Sequence, residues 1–271
     1  MVPVIDVWTT FSSCITTSDH VEVSTMTTKK PPSLARRSAA WSVHFFTGTG
    51  SVAALLSLWF ISQKNSIMYF TMAGIAIAID ALDGTFARWA KTKETIPEFD
   101  GALLDNLIDY VNYVIAPAFF LLHSDLLSPG GKWACAIAVV MSSSYQFAQD
   151  DAKTDDHYFK GFPSYWNIAV FYLYFWQTSN TVNAIIIGTL SVLVFIPIKY
   201  IYPTRLQYVS PKKSFRVFIL AFTWIWGAAS FLMVYPPFRG NLWLVGLSMG
   251  YCVFYALVSF YRTWRPINPK S

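Results

Sequence analysis

Apolar residues run along this chain in blocks too long for the amphipathic helices of a water-soluble fold. Read as helices able to cross a hydrocarbon layer about 30 Å thick, the blocks fall at residues 40–62, 67–89, 101–123, 132–149, 163–178, 181–201, 215–235 and 241–261. Eight membrane spans are therefore expected. Polar Gln177, Thr178, Ser179 and Asn180 argue for a turn between the fifth and sixth blocks. Residues 1–36 are rich in Ser, Thr, Lys and Pro and have no basic stretch ahead of an apolar core, so they read as a disordered or weakly attached tail, not a signal peptide. The expected organisation is this tail (1–36), a polytopic membrane domain (37–265) and a short C-terminal tail (266–271), all-α in class and without internal repeats.

Composition agrees with the pattern. The chain is 54% hydrophobic, 18% aromatic and only 13% charged, with a mean hydropathy of +0.40, which excludes an ordinary soluble domain. An even number of spans puts both termini on one side, and the basic residues test that count. Of the 20 Lys and Arg, all but Lys64, Lys132 and Arg239 fall on the side of the termini. Positive charge collects on the cytoplasmic side of membrane proteins, so both ends are expected to be cytoplasmic. The net charge of +5 is then explained by anionic headgroups and calls for no nucleic acid. Cys14, Cys135 and Cys252 are odd in number and two lie inside expected spans, which fits small buried hydrophobes better than a disulfide framework.

Against this background the stretch IDALDGTFAR (79–88) places charge where lipid is expected. Asp80, Asp83, Gly84, Ala87 and Arg88 stand at i, i+3, i+4, i+7 and i+8, one face of a helix. Gly101, Asp105 and Asp109 are spaced by four on the next helix, and Pro97 breaks the chain between the two. The helices are therefore expected to be antiparallel neighbours with converging acidic faces. Four carboxylates in a medium of low dielectric repel one another and take up protons unless cations lie between them. Mg²⁺ or Mn²⁺ accepts carboxylate oxygens and keeps positions open for phosphate oxygens, and two such ions about 3.5–4 Å apart clamp a diphosphate under attack. Gly84 and Ala87 clear space for a ligand, and Arg88 offers a planar fork to a phosphate. A single intramembrane acid is often a packing group or a proton relay; four, in register with two small residues and an arginine, favour catalysis.

The pattern Asp80-x2-Asp83-Gly84-x2-Ala87-Arg88, followed by Gly101-x3-Asp105-x3-Asp109, resembles the signature of the CDP-alcohol phosphotransferases. The interval WAKTKETIPEFD between Arg88 and Gly101 is longer than is usual in that family and resembles its bacterial branch that uses choline as acceptor. The resemblance continues through YQFAQDDAKTDDHYFKGFPSYWN (145–167) and FIPIKYIYPTR (195–205) and covers nearly everything from about residue 40. It implies the family's fold and a reaction in which CDP-diacylglycerol and choline give phosphatidylcholine and CMP with Mg²⁺ or Mn²⁺, as two ions. Carried over, Asp80, Asp83 and Asp105 would be metal ligands, and Asp109 both a ligand and the general base. Asp83, Gly84, Ala87, Arg88 and Gly101 would border the CDP moiety. The resemblance also implies a multi-pass protein of the bacterial inner membrane, active on the cytoplasmic side among membrane lipids, and a homodimer.

Choline carries a quaternary ammonium, which proteins hold with aromatic faces and nearby acids. The segment 145–167 supplies both: Tyr145, Tyr158, Phe159, Tyr165 and Trp166 as cage candidates, with Asp150, Asp151, Asp155 or Asp156 adding charge. Lys199 and Arg205 are the candidate phosphate contacts on the next cytoplasmic loop. Two rival readings are a related enzyme that uses serine, inositol or glycerol phosphate, and a cation-coupled transporter. The acidic, aromatic 145–167 segment argues against the first. The second has no use for Gly84, Ala87 and Arg88.

Overall fold

The computed structural model describes residues 32–152, 154, 158–201, 206 and 209–265. Ten α-helices are present among them: α1 Leu34–Ser62, α2 Ser66–Ala90, the single turn α3 Thr92–Thr95, α4 Gly101–Tyr110, α5 Ala116–His123, α6 Pro129–Ala148, α7 Trp166–Trp176, α8 Asn180–Leu193, α9 Lys213–Met233 and α10 Leu242–Trp264. A π-helical turn, Val111–Ile115, joins α4 to α5 without a break. It precedes Pro117, whose ring would crowd the carbonyl four residues back in a regular helix, and widening the turn is a known way to absorb such a residue. The Ala116 N–H accordingly reaches back five residues to the Val111 carbonyl.

Polar residues at block edges set the helix starts. The Asn65 side chain accepts from the Met68 amide, Asp100 from the Ala102 and Leu103 amides, and Asn241 from Trp243 and Leu244, each satisfying donors that a helix start leaves open. At the other end of α2, Lys91 turns into the left-handed region (φ 50°) and closes the helix.

The eight expected blocks thus correspond to eight helical rods, counting Gly101–His123 as one. Four helices, α1, α2, α9 and α10, are each long and apolar enough to cross a membrane. Two rods are shorter than expected, α7 with 11 residues and α8 with 14, about 16 and 21 Å at 1.5 Å per residue. The sixth block was expected to stay helical to 201, but α8 ends at Leu193. Pro197 cannot continue a helix, and Lys199–Ile201 instead forms β2, antiparallel to β1 (Tyr158–Lys160) with Tyr158 opposite Ile201 and Lys160 opposite Lys199. A two-stranded ribbon therefore supplements the all-α class.

The core is aromatic and aliphatic, with Tyr69, Phe120, Leu121, Val139, Trp166, Leu173, Ile187 and Met233 sealed from solvent. Small residues line the buried stripe of α1, including Ala40, Gly50, Ala53, Ala54 and Ser57, which lets neighbouring backbones approach closely. Large apolar side chains cover the outside as well: Phe45, Trp133, Ile137, Trp224, Val253 and Leu257 are all exposed. A surface of this kind is solvated by lipid, not water, and the chain is a multi-pass membrane protein.

Alternate loops gather at opposite ends of the bundle. At one end Arg37, at the start of α1, pairs with Glu98 in the α3–α4 connection at 2.6 Å, and β1 pairs with β2 across two other loops. At the other end the α1–α2, α5–α6, α7–α8 and α9–α10 connections line one cavity.

Gly161, just after β1, has φ +78°, and a Cβ there would sit 2.1 Å from the Val194 carbonyl oxygen. Its N–H donates to the Ile198 carbonyl. Gly161→Ala is expected to cost about 1–3 kcal/mol from the strained backbone alone and more from the clash. A clear drop in thermal midpoint, measured on purified protein, checks this.

Candidate active site

Three of the four motif aspartates come together. Ligand oxygens of Asp80, on α2, and of Asp105 and Asp109, on α4, all lie within 4.8 Å of one another, and each residue is half-buried. Helical geometry explains why the fourth stands apart. Residues four apart on a helix differ by about 40° in direction, so Asp105 and Asp109 point the same way; residues three apart differ by about 60° to the other side. Asp80 therefore faces α4, while Asp83 turns toward α1, where it is 6% exposed and lies beside the Thr47 hydroxyl. Asp83 remains within electrostatic reach of both Asp80 and Arg88.

Tyr113 completes this arrangement and was not anticipated. Its hydroxyl donates to Asp80 Oδ2 at 2.9 Å, and it lies close enough to Asp109 and Tyr165 to interact with both. The signal for it was available: Asp105, Asp109 and Tyr113 continue the four-residue spacing along one face. Tyr113 sits inside the π-helical turn, a feature that often marks functional positions.

The small residues divide by role. A Cβ at Gly84 would meet only the Arg88 guanidinium, at 3.4 Å, so this glycine keeps the ground beside Arg88 clear. Arg88 itself is exposed and donates to the Thr85 hydroxyl, and Ala87 is half-buried beside it. Gly101 has another duty. A Cβ there would stand 2.6 Å from Cε1 of His44, whose ring is held against Phe99 at 4.6 Å and Trp41 at 6.0 Å. Gly101 thus lets the start of α4 close onto α1, which sets the height of Asp105 and Asp109.

The aromatic segment is only partly gathered. Tyr165 lies by Tyr113 and meets Phe159 edge-on at 5.9 Å. Trp166 is fully buried, its indole N–H donating to Ser143 at 2.7 Å, so its ring serves the core. Tyr158 is 2% exposed among Ile201, Val209 and Ile219, with Lys199 Nζ 5.7 Å above its ring. Tyr145 is exposed and packs on Phe195. Asp150 is exposed, and Asp151 is engaged by Lys160 at 2.6 Å and by Gln149, which hold its carboxyl below the usual range. Arg205, Asp155 and Asp156 lie outside the described residues.

Chemically, three convergent half-buried carboxylates form a hard oxygen donor set suited to a divalent cation, and the Tyr113 hydroxyl orients one of them from behind as such sites require. The chain matches the family model of CDP-alcohol phosphatidyltransferases over residues 44–235. It belongs to that family. Among curated proteins, this chain is similar to a phosphatidylcholine synthase of Legionella pneumophila subsp. pneumophila, 44% identical over 241 residues, which cover 88% of this chain and 94% of the relative. A phosphatidylcholine synthase of Borreliella burgdorferi is 36% identical, over 84% of this chain and 96% of its own length. One from Rhizobium meliloti is 33% identical, over 76% and 83%.

If Gly101 serves close packing, the family motif carries a structural position inside it. Gly101→Ala is expected to destabilise the protein by about 1–3 kcal/mol through overpacking, and His44→Ala in the same chain to recover most of that loss. A double-mutant cycle on thermal stability measures the coupling.

Proposed function

We propose that this CDP-alcohol phosphatidyltransferase transfers the phosphatidyl group of CDP-diacylglycerol to choline, giving phosphatidylcholine and CMP. The observation that carries this reading is the convergence of Asp80, Asp105 and Asp109 from two helices, in a chain whose relatives bearing the name phosphatidylcholine synthase align over most of its length.

Asp109 is the general base. Its carboxylate takes the proton of the choline hydroxyl as that oxygen bonds to the β-phosphorus of the CDP moiety. The bond from this phosphorus to the bridging oxygen breaks in the same displacement, and CMP leaves with the electron pair. No covalent enzyme intermediate is needed. Asp80, Asp105 and Asp109 would hold two divalent ions, Mg²⁺ or Mn²⁺, with Asp83 joining from its place within electrostatic reach of Asp80, and the ions would supply charge neutralisation at the phosphoryl oxygens when bound. Tyr113, as a positioning residue, keeps one oxygen of Asp80 engaged and the other directed at the centre. Arg88 takes a phosphate oxygen of the CDP moiety on the ground that Gly84 and Ala87 leave open. Tyr165, next to Tyr113, and Phe159, which meets Tyr165 edge-on, are the aromatic faces best placed for the choline ammonium. Lys199 and Arg205 serve the phosphates of the lipid substrate from the neighbouring loop.

The eight rods form the membrane-embedded bundle, with α7 and α8 completing their passage through the segments that flank them, and both termini and the site are on the cytoplasmic side of a bacterial inner membrane. The segregation of basic residues supports this orientation. The Arg37–Glu98 pair and the β1–β2 ribbon gather alternate loops at one end, which supports placing those loops on a common side. The catalytic domain begins with α1 at Leu34, inside the stretch expected to be a tail, residues 1–31 and 266–271 lie outside the described residues, and the enzyme acts as a homodimer.

Purified protein given CDP-diacylglycerol, labelled choline and either metal is expected to form labelled phosphatidylcholine, to stop on chelation and to recover on metal addition; labelled serine, inositol and glycerol phosphate are expected to give no product. Asp109→Asn should lower kcat by about 10²–10⁴ with the fold intact. Tyr113→Phe should raise the metal concentration for half-maximal activity by about 10–100-fold while the thermal midpoint of metal-free protein stays unchanged.

A further inference from the structure

At the end of the bundle remote from the carboxylates, the loop cavity has a volume of about 480 Å³ and is walled by Lys64, His123, Ser124, Asp125, Tyr174 and Arg239, among others. Ser66, also in its wall, begins α2 fourteen residues before Asp80, about 21 Å away along the helix. His123 stands equally far from Asp109 on the other rod. The cavity is therefore separate from the proposed active site.

Its charges are unusual for that end. Basic residues on the side opposite the cytoplasmic loops work against membrane orientation, and among the described residues only Lys64, Lys132 and Arg239 stand there. Two of the three line this one cavity, and the third pairs with its Asp125 at 3.7 Å. Asp125 is thereby balanced. Neither Lys64 nor Arg239 has a carboxylate within ion-pair distance among the described residues. Arg239 is held in place all the same: its guanidinium lies 5.0 Å from the Tyr174 ring centre and donates to the Tyr174 hydroxyl at 2.8 Å. The Ser124 hydroxyl, also in the wall, is buried and finds no hydrogen-bond partner among the described residues. Two cations, one of them fixed, and a hydroxyl without a partner, with the one acid in the wall facing a cation of its own, make a receptor for a tetrahedral oxyanion.

We propose that this cavity binds a phosphate group, either the headgroup phosphate of an anionic phospholipid in the opposite leaflet or a free phosphate. The site goes beyond the transferase reading and does not depend on it. The test uses full-length protein in micelles of an uncharged, phosphate-free detergent, titrated with phosphatidylglycerol in one arm and inorganic phosphate in the other, with binding read from the thermal midpoint and from native mass spectrometry. Phosphatidylglycerol is expected to bind and stabilise the protein, and the double variant Lys64→Gln, Arg239→Gln to bind it roughly tenfold more weakly while keeping its transferase activity. Competition by inorganic phosphate at comparable concentration would assign the site to the free anion; its failure to compete would assign it to the lipid. Raising the ionic strength should weaken binding to the unmodified protein, a measurement that needs no variant. If neither probe binds, or if binding is indifferent both to salt and to the double substitution, the proposal is overturned.

Discussion

Mutual repulsion among Asp80, Asp105 and Asp109 is the constraint around which this protein is arranged. Three carboxylates with oxygens inside 4.8 Å, half-buried in a bundle whose outer surface is apolar, cannot all stay ionised without compensating positive charge. The folded chain nevertheless holds them together, with α2 and α4 set so that their acidic faces meet. The energy that keeps this arrangement comes from packing elsewhere.

Helix α1 supplies much of that packing. It contains no motif residue, yet it touches both acidic helices. Thr47 stands beside Asp83, the imidazole of His44 fills the space that Gly101 vacates, and the Gly50 carbonyl accepts from the Asn112 side chain at 3.1 Å. Each contact relies on a small or polar residue that would be unremarkable in a membrane helix by itself. Together they set the depth and rotation of α2 and α4, so that the carboxylates stay in register despite their repulsion. The motif and its support thus lie on different helices, which is how an acidic centre can be stiff inside a lipid-solvated bundle.

Two ends of one bundle carry different chemistry. The ribbon end joins loops through backbone hydrogen bonds and the Arg37–Glu98 pair, bringing Tyr165 to the edge of the acidic centre. The opposite end collects the three basic residues found there among the described residues, Lys64, Lys132 and Arg239, around one cavity. Polar interaction is costly to place within a bilayer and cheap at its surfaces. Apart from the aspartate centre, the charged chemistry accordingly sits at the rims.

How much could be read in advance differs from element to element. Eight apolar blocks announced eight rods because apolar length is a local property of the chain, and the aspartate spacing announced a shared face because helical periodicity is local too. The fate of 195–201 was less legible: Pro197 signalled that a helix would fail there, but strand pairing with 158–160 depends on a partner some forty residues away. Trp166 and Tyr158 looked like ligand-binding aromatics, yet the fold buries both, since burial is settled by what surrounds a side chain and not by its type. Asp83 parted from its three companions through a modest difference in helical direction, decided by where α1 and α4 stand around α2. Tyr113 acquired its partner only across the gap between two helices. The amino-acid order by itself determined the lipid-solvated class, the helical rods and the acidic faces, because these follow from neighbours a few residues apart. Tertiary structure alone decided which carboxylates meet, which glycine serves packing and which aromatics remain accessible, because those outcomes require segments distant in sequence to be brought within a few ångströms.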